Sequence, residues 1–277
     1  MDDKWIDIIK NRAETIRSGS FNSDEPIRDN IFKLLRDKSV LVFFPLEDEK
    51  DLDGFHVDRV IDGQIKPFVY INTANYWDKC IFCAAHELGH VYRIETCIKE
   101  SCQDSVINDA ECDEIMNRFA AELLMPETKF KSKFSDVASR IFNEKDKGIK
   151  EQDILRIAIE LMDYFFVPYK AVIKRLNEIG FLTDLGVQHY IEYNDLVIKF
   201  FIADGDFIRP NQITNLKQFD NLEDLIRKTQ NKSSLNTKAI DELCRLFDIS
   251  FTDKVDELIE QTSQNILNEN LYNTGEQ

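Results

Sequence analysis

Histidine and positive charge are scarce in this chain of 277 residues. It has four histidines, and its 35 lysines and arginines are outnumbered by 51 aspartates and glutamates, which gives a formal net charge of −16. Such a charge argues against nucleic-acid binding by the whole chain, because neutralisation of phosphates dominates that affinity. We therefore expect no direct nucleic-acid binding, and we expect a basic partner to be favoured.

Long apolar runs are also missing. No stretch of about 18 apolar residues occurs, and the first residues carry neither the basic region nor the apolar core of a signal peptide. We therefore expect a soluble, cytoplasmic protein without a membrane span. A hydrophobic fraction of 43% supports a packed core. The length predicts two units, because single cores rarely grow beyond roughly 250 to 300 residues.

Two of the four histidines lie in residues 86–90, whose sequence is HELGH. Residues four apart in a helix project from the same face, so His86 and His90 are placed to hold one metal ion while Glu87 reaches a water molecule beside it. Residues 68–72 predict a short strand before this segment, and residues 76–92 predict a helix. Strand, turn and helix in this order are the setting of HExxH zinc peptidases, which use the glutamate as general base.

A third metal ligand has to come from another segment. The extended motif with a third histidine would need glycine and histidine where this chain has Arg93 and Thr96. The predicted helix 108–125 offers acidic residues instead, and Asp113 lies at the edge of its apolar stripe, with Glu114 as the second choice. The stripe has helical spacing and consists of Cys112, Ile115, Met116, Phe119, Ala120, Leu123 and Leu124.

The six cysteines allow other interpretations. Cys80 and Cys83 precede the two histidines with spacing that resembles a structural zinc site, but Cys80 and His90 would lie about 15 Å apart on one helix. We therefore predict that Cys80 and Cys83 are small buried residues. Three more cysteines in the connection between the helices leave a redox or additional metal role open, namely Cys97, Cys102 and Cys112.

The pattern along the chain predicts an α+β fold. A small, partly antiparallel sheet is expected to pack on a helical, zincin-like body, followed by a smaller mixed C-terminal domain. The elements predicted before the HELGH helix are helices at 4–17 and 27–36 and strands at 40–44, 54–61 and 68–72, with a turn at Asp62 and Gly63.

Three regions follow from this pattern. They are an N-terminal helical segment (1–30), a metallopeptidase domain (31–183) and a C-terminal domain (184–277) whose role is sensing, substrate binding or autoinhibition. In the last region we predict strands within 187–201, helices at 221–228 and 237–246, and a disordered acidic tail after 268.

Residues 154–182 predict two helices separated at Pro168, in a spacing that resembles a helix-turn-helix. The second helix carries Lys170, Lys174 and Arg175, which a DNA-reading helix would need. The local charge is nearly balanced, however. We therefore favour packing of this pair in the protein body over contact with DNA.

Three runs of sequence together resemble the ImmA/IrrE family of metallopeptidases, and the resemblance spans residues 30–182. The runs are residues 68–72 (FVYIN), 81–90 (IFCAAHELGH) and 117–126 (NRFAAELLMP). Two positions depart from the family pattern. Asp113 stands where the family usually has the glutamate that is the third metal ligand, and Met116 stands where it usually has alanine.

The resemblance implies a cytoplasmic zinc-dependent endopeptidase that cleaves a DNA-binding repressor of the helix-turn-helix type and so derepresses its genes. It implies His86, His90 and Asp113 as metal ligands and Glu87 as catalytic base; manganese is the alternative metal. The strand 68–72 would offer an edge for an extended substrate. Three further polar side chains near the site are interpreted as structural, namely His56, Tyr70 and Tyr92.

Two other functions remain open. A catalytically weak relative would bind metal and control a repressor or antitoxin by holding it. A DNA-binding regulator would instead show salt-dependent affinity for a duplex.

Overall fold

The computed structural model describes residues 1–21, 25–49, 51–61, 63–102, 106–142, 150–193, 212–230 and 237–248. These residues form two compact units, Met1–Asp220 and Asn221–Gln277. The first unit contains helices α1 (Asp3–Ser20), α2 (Asn30–Lys38), α3 (Trp77–Val91), α4 (Ile94–Ser101), α5 (Asp109–Leu124), α6 (Glu127–Phe142), α7 (Glu151–Phe165), α8 (Tyr169–Glu178) and α9 (Asp184–Glu192) and strands β1 (Val40–Phe44), β2 (Gly54–Ile61), β3 (Gln64–Asn72) and β4 (Gln218–Phe219). The second unit contains α10 (Leu222–Gln230) and α11 (Thr237–Leu246). Among the described helices, none has the length and apolar character needed to cross a membrane.

The four strands form one mixed sheet in the order β2, β3, β1, β4. β2 and β3 are antiparallel neighbours, β3 and β1 are parallel, and β4 runs antiparallel to β1. The sheet and the surrounding helices confirm the predicted α+β class. β3 lies between two strands, so the prediction that residues 68–72 offer a free edge is wrong. The edge strand on that side of the sheet is β2.

Most predicted elements of the first unit agree with the structure. β1 and β2 have the predicted bounds, and α3 and α5 each differ from the prediction by one residue at each end. Strand β3 is longer than predicted because it also includes residues 64–67. Cys80 and Cys83 are buried as predicted, and both are free thiols.

The region after residue 183 differs from the prediction. Residues 187–192 belong to helix α9 and not to a strand, because the Thr183 hydroxyl accepts a hydrogen bond from the Gly186 amide and caps a helix. Tyr169 then donates a hydrogen bond to the carbonyl of Tyr190, which fastens α9 to α8. The contacts place α9 and β4 in the first unit, whereas the sequence suggests a division at 183. The rest of the predicted strands and the tail lie outside the described residues.

Asn72 at the end of β3 organises the loops beside the sheet. Its side chain is fully buried, and its Oδ1 accepts hydrogen bonds from the amides of Leu46 and Ala74. Its Nδ2 donates to the carbonyls of Leu46, Glu49 and Leu52. A buried amide that satisfies both its donors and its acceptor in this way holds Leu46, Glu49 and Leu52 against the sheet, directly before β2.

Residues 212–220 pack along the turn between β3 and α3. The amide of Trp77 donates to the carbonyl of Gln212 at 2.9 Å, and the Thr73 hydroxyl donates to the carbonyl of Leu216 at 2.8 Å. These bonds lead the chain to β4, which then pairs with β1. This segment is distant in sequence, and its strand β4 adds the fourth strand to the sheet that precedes α3.

Helix α8 is joined to α5 by a buried ion pair. The Arg175 guanidinium donates to both carboxylate oxygens of Glu122 and to the carbonyl of Met125. Arg175 is 1% exposed, so it cannot face a DNA backbone. The pair α7 and α8 therefore packs in the body of the protein, as the sequence analysis favoured.

Candidate metal centre

Helix α3 carries the HELGH segment on a half-buried face. The apolar residues Ile81, Ala84, Ala85 and Leu88 are fully buried and fix which side of the helix faces the core. His86 and His90 project together on the other side, with ring centroids 5.2 Å apart. The sequence spacing and the structure thus agree on a pair of neighbouring imidazoles.

Helix α5 places Asp113 opposite His86. The helix begins at a capping box in which Asn108 Oδ1 accepts from the Glu111 amide and Glu111 Oε2 accepts from the Asn108 amide. Asp113 follows in the next turn, and its Oδ1 lies 3.6 Å from His86 Nε2. Glu114, the second choice, lines the same cleft.

Asn117 joins the side chains of Asp113 and His86. Its Nδ2 donates to Asp113 Oδ2 at 2.9 Å, and its Oδ1 lies 3.1 Å from His86 Nδ1. A carboxylate only accepts hydrogen bonds, so the amide nitrogen must face Asp113 and the amide oxygen must face His86. His86 Nδ1 therefore carries a hydrogen, and Nε2 is the ring nitrogen that faces Asp113. This orientation presents Nε2 as the nitrogen for a metal ion.

His56 from the edge strand β2 contacts the other end of the motif. Its Nδ1 lies 3.1 Å from Glu87 Oε2, and its ring stacks on His90 at a centroid distance of 4.4 Å. Because the carboxylate only accepts, His56 Nδ1 is the donor. This bond engages Oε2 of Glu87, and among the residues that the structure describes no hydrogen bond is found to the other oxygen. The side chain of Glu87 is only 7% exposed.

Two groups of ligand-type side chains in the described residues have all their ligand atoms within 4.8 Å of one another. They are His56 with Glu87 and His90, and His90 with Glu95 and Cys112. The predicted set of His86, His90 and Asp113 is not among them. The reason is that the His90 ring turns towards His56, whereas Asp113 approaches His86. The donor types, and the orientation that Asn117 gives to His86, nevertheless fit a zinc-type ion.

Burial and hydrogen bonding shift two histidines of this group in opposite directions. Burial lowers the pKa of His90 to about 4, so its imidazole is neutral at pH 7. The hydrogen bond to Glu87 raises the pKa of His56 above its usual value. The two stacked rings therefore differ in their tendency to take up a proton.

A cleft of about 610 Å³ opens beside the HELGH segment of α3. His86, Glu87 and Asp113 line it, together with Gly54 at the start of β2. Helix α8 forms another part of its wall through a group of residues that consists of Pro168, Lys170, Ala171, Lys174 and Glu178. The cleft thus extends from the edge strand, past the motif, to the helix pair near the end of the first unit.

The family model of the IrrE N-terminal-like domain, a peptidase domain, matches residues 35–177. This match covers more than half of the chain. The chain belongs to the ImmA/IrrE family of metallopeptidases. The matched residues include β2, α3 and α5 and nearly all of α8, so the whole lining of the cleft apart from Met1 and Glu178 lies inside the family domain. A search of curated proteins found no match to the chain.

The structure of this ImmA/IrrE family member brings two further side chains to the site, Asn117 and His56. Asn117 follows Asp113 by four residues, so helical spacing could have revealed its contact. His56 was interpreted as structural because its contact with Glu87 depends on how β2 lies against α3, which the sequence does not show. Tyr70 is structural, as expected, because its hydroxyl donates to the carbonyl of Phe44.

Proposed function

We propose that this metallopeptidase is a zinc-dependent endopeptidase that cleaves one regulatory protein, a DNA-binding repressor of the helix-turn-helix type. His86, His90 and Asp113 would hold the metal, with manganese as the alternative ion, and Glu87 would act as general base. The observation that carries the proposal is the buried Glu87 carboxylate, which lines the cleft, accepts a hydrogen bond from His56 and lies within one group of ligand-type side chains with His90.

Glu87 is arranged for proton transfer. When bound, a zinc ion activates water and polarises the peptide carbonyl. Glu87 would accept the proton of the attacking water through the oxygen that His56 leaves free, and would then deliver it to the departing amine. His56 holds the other oxygen and so limits rotation of the carboxylate. His86 presents Nε2 because Asn117 occupies its Nδ1.

The edge strand β2 supports binding of an extended segment. In the described residues, no strand pairs with the outer edge of β2, and Gly54 at its start lines the cleft. An extended peptide would add to this edge through main-chain hydrogen bonds. Exposed apolar side chains on the β2–β3 hairpin offer contacts for alternate residues of that peptide, namely Phe55, Val60 and Ile65.

The charge of the chain supports a basic partner. A net charge of −16 attracts a basic protein over long range, and DNA-binding repressors are basic where they contact phosphates. The substrate would therefore be a protein whose own surface binds DNA, without any duplex contact by the peptidase. Cytoplasmic action follows from this substrate.

The first experiment is elemental analysis of the purified chain. We expect about one zinc per wild-type chain, loss of zinc in His86→Ala and Asp113→Ala, and retention in Glu87→Gln. Glu114→Ala is the matched control, because Glu114 is adjacent on the same helix and should leave zinc in place. A wild type without metal after zinc is supplied would refute the metal site.

The Glu87→Gln protein then identifies the partner. A tagged Glu87→Gln chain should retain a repressor that the active wild type converts into fragments, and mass spectrometry of both samples reads out the cleavage site. The other candidate function is control of a repressor by binding alone, which the short, 66% exposed side chain of Asp113 favours because such a ligand holds metal weakly. In that case the repressor stays intact with both proteins.

A further inference from the structure

A second cluster of ligand-type side chains shares His90 with the HELGH site. Glu95 comes from the first turn of α4 and Cys112 from the first turns of α5. The ligand atoms of His90, Glu95 and Cys112 all lie within 4.8 Å of one another. Three separate helices therefore converge on one point, which is the arrangement of a built site and not of a local turn.

The carboxylate of Glu95 is not fully satisfied by hydrogen bonds in the described part of the chain. Its Oε2 is buried and has no hydrogen-bond partner among the residues that the structure describes. A buried carboxylate oxygen without a donor costs free energy, since it loses its water and gains nothing in return. The backbone enforces this position, because Arg93 adopts a left-handed conformation (φ 53°) that turns the chain from α3 into α4.

The donor types define the ligand. An imidazole, a carboxylate and a thiol together match a divalent ion of intermediate softness such as zinc or cobalt. Magnesium and calcium select oxygen ligands and would not use the sulfur of Cys112. A divalent ion would also supply the partner that Glu95 Oε2 lacks.

We propose that His90, Glu95 and Cys112 form a second site for a zinc-class cation, beside the set of His86, His90 and Asp113. Both sets use His90. A cation in the second site would therefore engage this imidazole and compete with occupancy of the first. Neither Glu95 nor Cys112 belongs to the catalytic set, so the second site does not rest on the proposed peptidase activity.

Cobalt spectroscopy of the full chain tests the site directly. A thiolate bound to Co²⁺ produces a ligand-to-metal charge-transfer band in the near ultraviolet, whereas nitrogen and oxygen ligands alone do not. We expect this band when Co²⁺ alone is added to the reduced wild type. The band should disappear in Cys112→Ser and persist in Cys97→Ser and Cys102→Ser, which are matched controls on neighbouring free thiols.

Two further variants separate the sites. Glu95→Gln should weaken the binding of Co²⁺, measured by titration of the thiolate band, by about tenfold or more. Asp113→Ala should keep the band, because Asp113 belongs only to the first set. Absence of the band in the wild type, its persistence in Cys112→Ser, or its loss in Asp113→Ala would each overturn the second site. Far-ultraviolet circular dichroism of each variant confirms that the helices are intact.

The same data distinguish the two proposals. Visible cobalt bands without the charge-transfer band would overturn the second site and leave the peptidase metal in place. A charge-transfer band in a chain whose Glu87→Gln variant never retains a partner would support the second site alone.

Discussion

Asn117 is a single amide that sets the orientation of two proposed ligands. Its contacts with His86 and Asp113 are of the kind that usually raises metal affinity by holding ligands in place. We predict that Asn117→Ala lowers zinc affinity by about 10- to 100-fold with little change in folding. Competition with a chromophoric chelator measures this. Asp109→Asn, at an exposed position of the same helix outside the cleft lining, is the control, and equal affinities in both variants would contradict the assignment.

At His56, the hydrogen bond to Glu87 can be tested separately from the packing of the ring. Asparagine can place its Nδ2 where His56 has Nδ1, whereas phenylalanine keeps the ring and the stacking on His90 but has no donor. If cleavage of the retained partner is observed, we predict that His56→Phe lowers kcat by roughly tenfold or more while KM changes little.

The asparagine variant provides the control for that prediction. His56→Asn should recover most of the rate, because it restores the hydrogen bond to Glu87. A purely structural role for His56 would give the reverse order, with the phenylalanine variant more active than the asparagine variant.

At the residue scale, helical spacing predicted which side chains share one face of a helix, and the apolar stripe of α5 indicated Asp113 as the acidic residue that faces α3. His86 and His90 are neighbours because they lie four residues apart in α3, and this was visible from the chain alone. The contact of Glu87 with His56 and the convergence of Glu95 with Cys112 depend on packing between different elements. Helical and strand periods contain no information about such contacts.

At the level of elements, Gly89 marks the closest approach of α3 and α5. A Cβ atom at this position would lie 2.7 Å from Met116 Sδ and 3.0 Å from Phe119 Cδ1. Glycine at 89 thus accommodates the methionine at 116. The two positions compensate for each other across the helix contact.

We predict that Gly89→Ala lowers the free energy of unfolding by about 1 to 2 kcal/mol, because crowding outweighs the better helix propensity of alanine. Gly19→Ala in α1 is the control, since no atom lies within 4 Å of its added Cβ. Urea unfolding measures both. In the Met116→Ala background the Gly89→Ala change should no longer be destabilising, and additive effects in this double-mutant cycle would contradict the compensation.

Element prediction succeeded where the period was long and clear. α5 has a capping box and an apolar stripe, so its start and its buried face followed from the sequence. β4 has two residues and no period, so it was invisible. Residues 187–192 were misread because the alternation of V-Q-H-Y-I-E suits a strand, while a threonine cap at 183 decides for a helix.

At the scale of the whole molecule, the buried charges between α5 and α8 couple stability to pH. Burial alone would raise the pKa of Glu122, but hydrogen bonds and charge from Arg175, together with Arg118, lower it below the usual 4.5. A carboxylate with a lowered folded-state pKa stabilises the fold fully above its unfolded-state value. This contribution is lost as the pH falls through the folded-state pKa, so acid should weaken the fold.

We predict that Glu122→Gln lowers the free energy of unfolding at pH 7 by about 3 kcal/mol, because it removes the fully buried charge partner of Arg175 and leaves only the half-buried Glu178. The stability of the variant should also fall less steeply than that of the wild type below pH 4.5. Urea titrations between pH 3 and 7 test both statements. Equal slopes for the two proteins would mean that other carboxylates govern the acid response.

The place of β4 in the sheet has a consequence for synthesis of the chain. β1 ends at Phe44, but the strand that covers its outer edge begins 174 residues later, at Gln218. At about 5 to 20 residues per second, the ribosome needs roughly 9 to 35 s to make that stretch. During this interval the apolar strand Val40–Phe44 has an unpaired edge on which two nascent chains can pair. Nascent chains on one polysome, and chains that stall before residue 218, are therefore the forms most exposed to aggregation and to capture by chaperones.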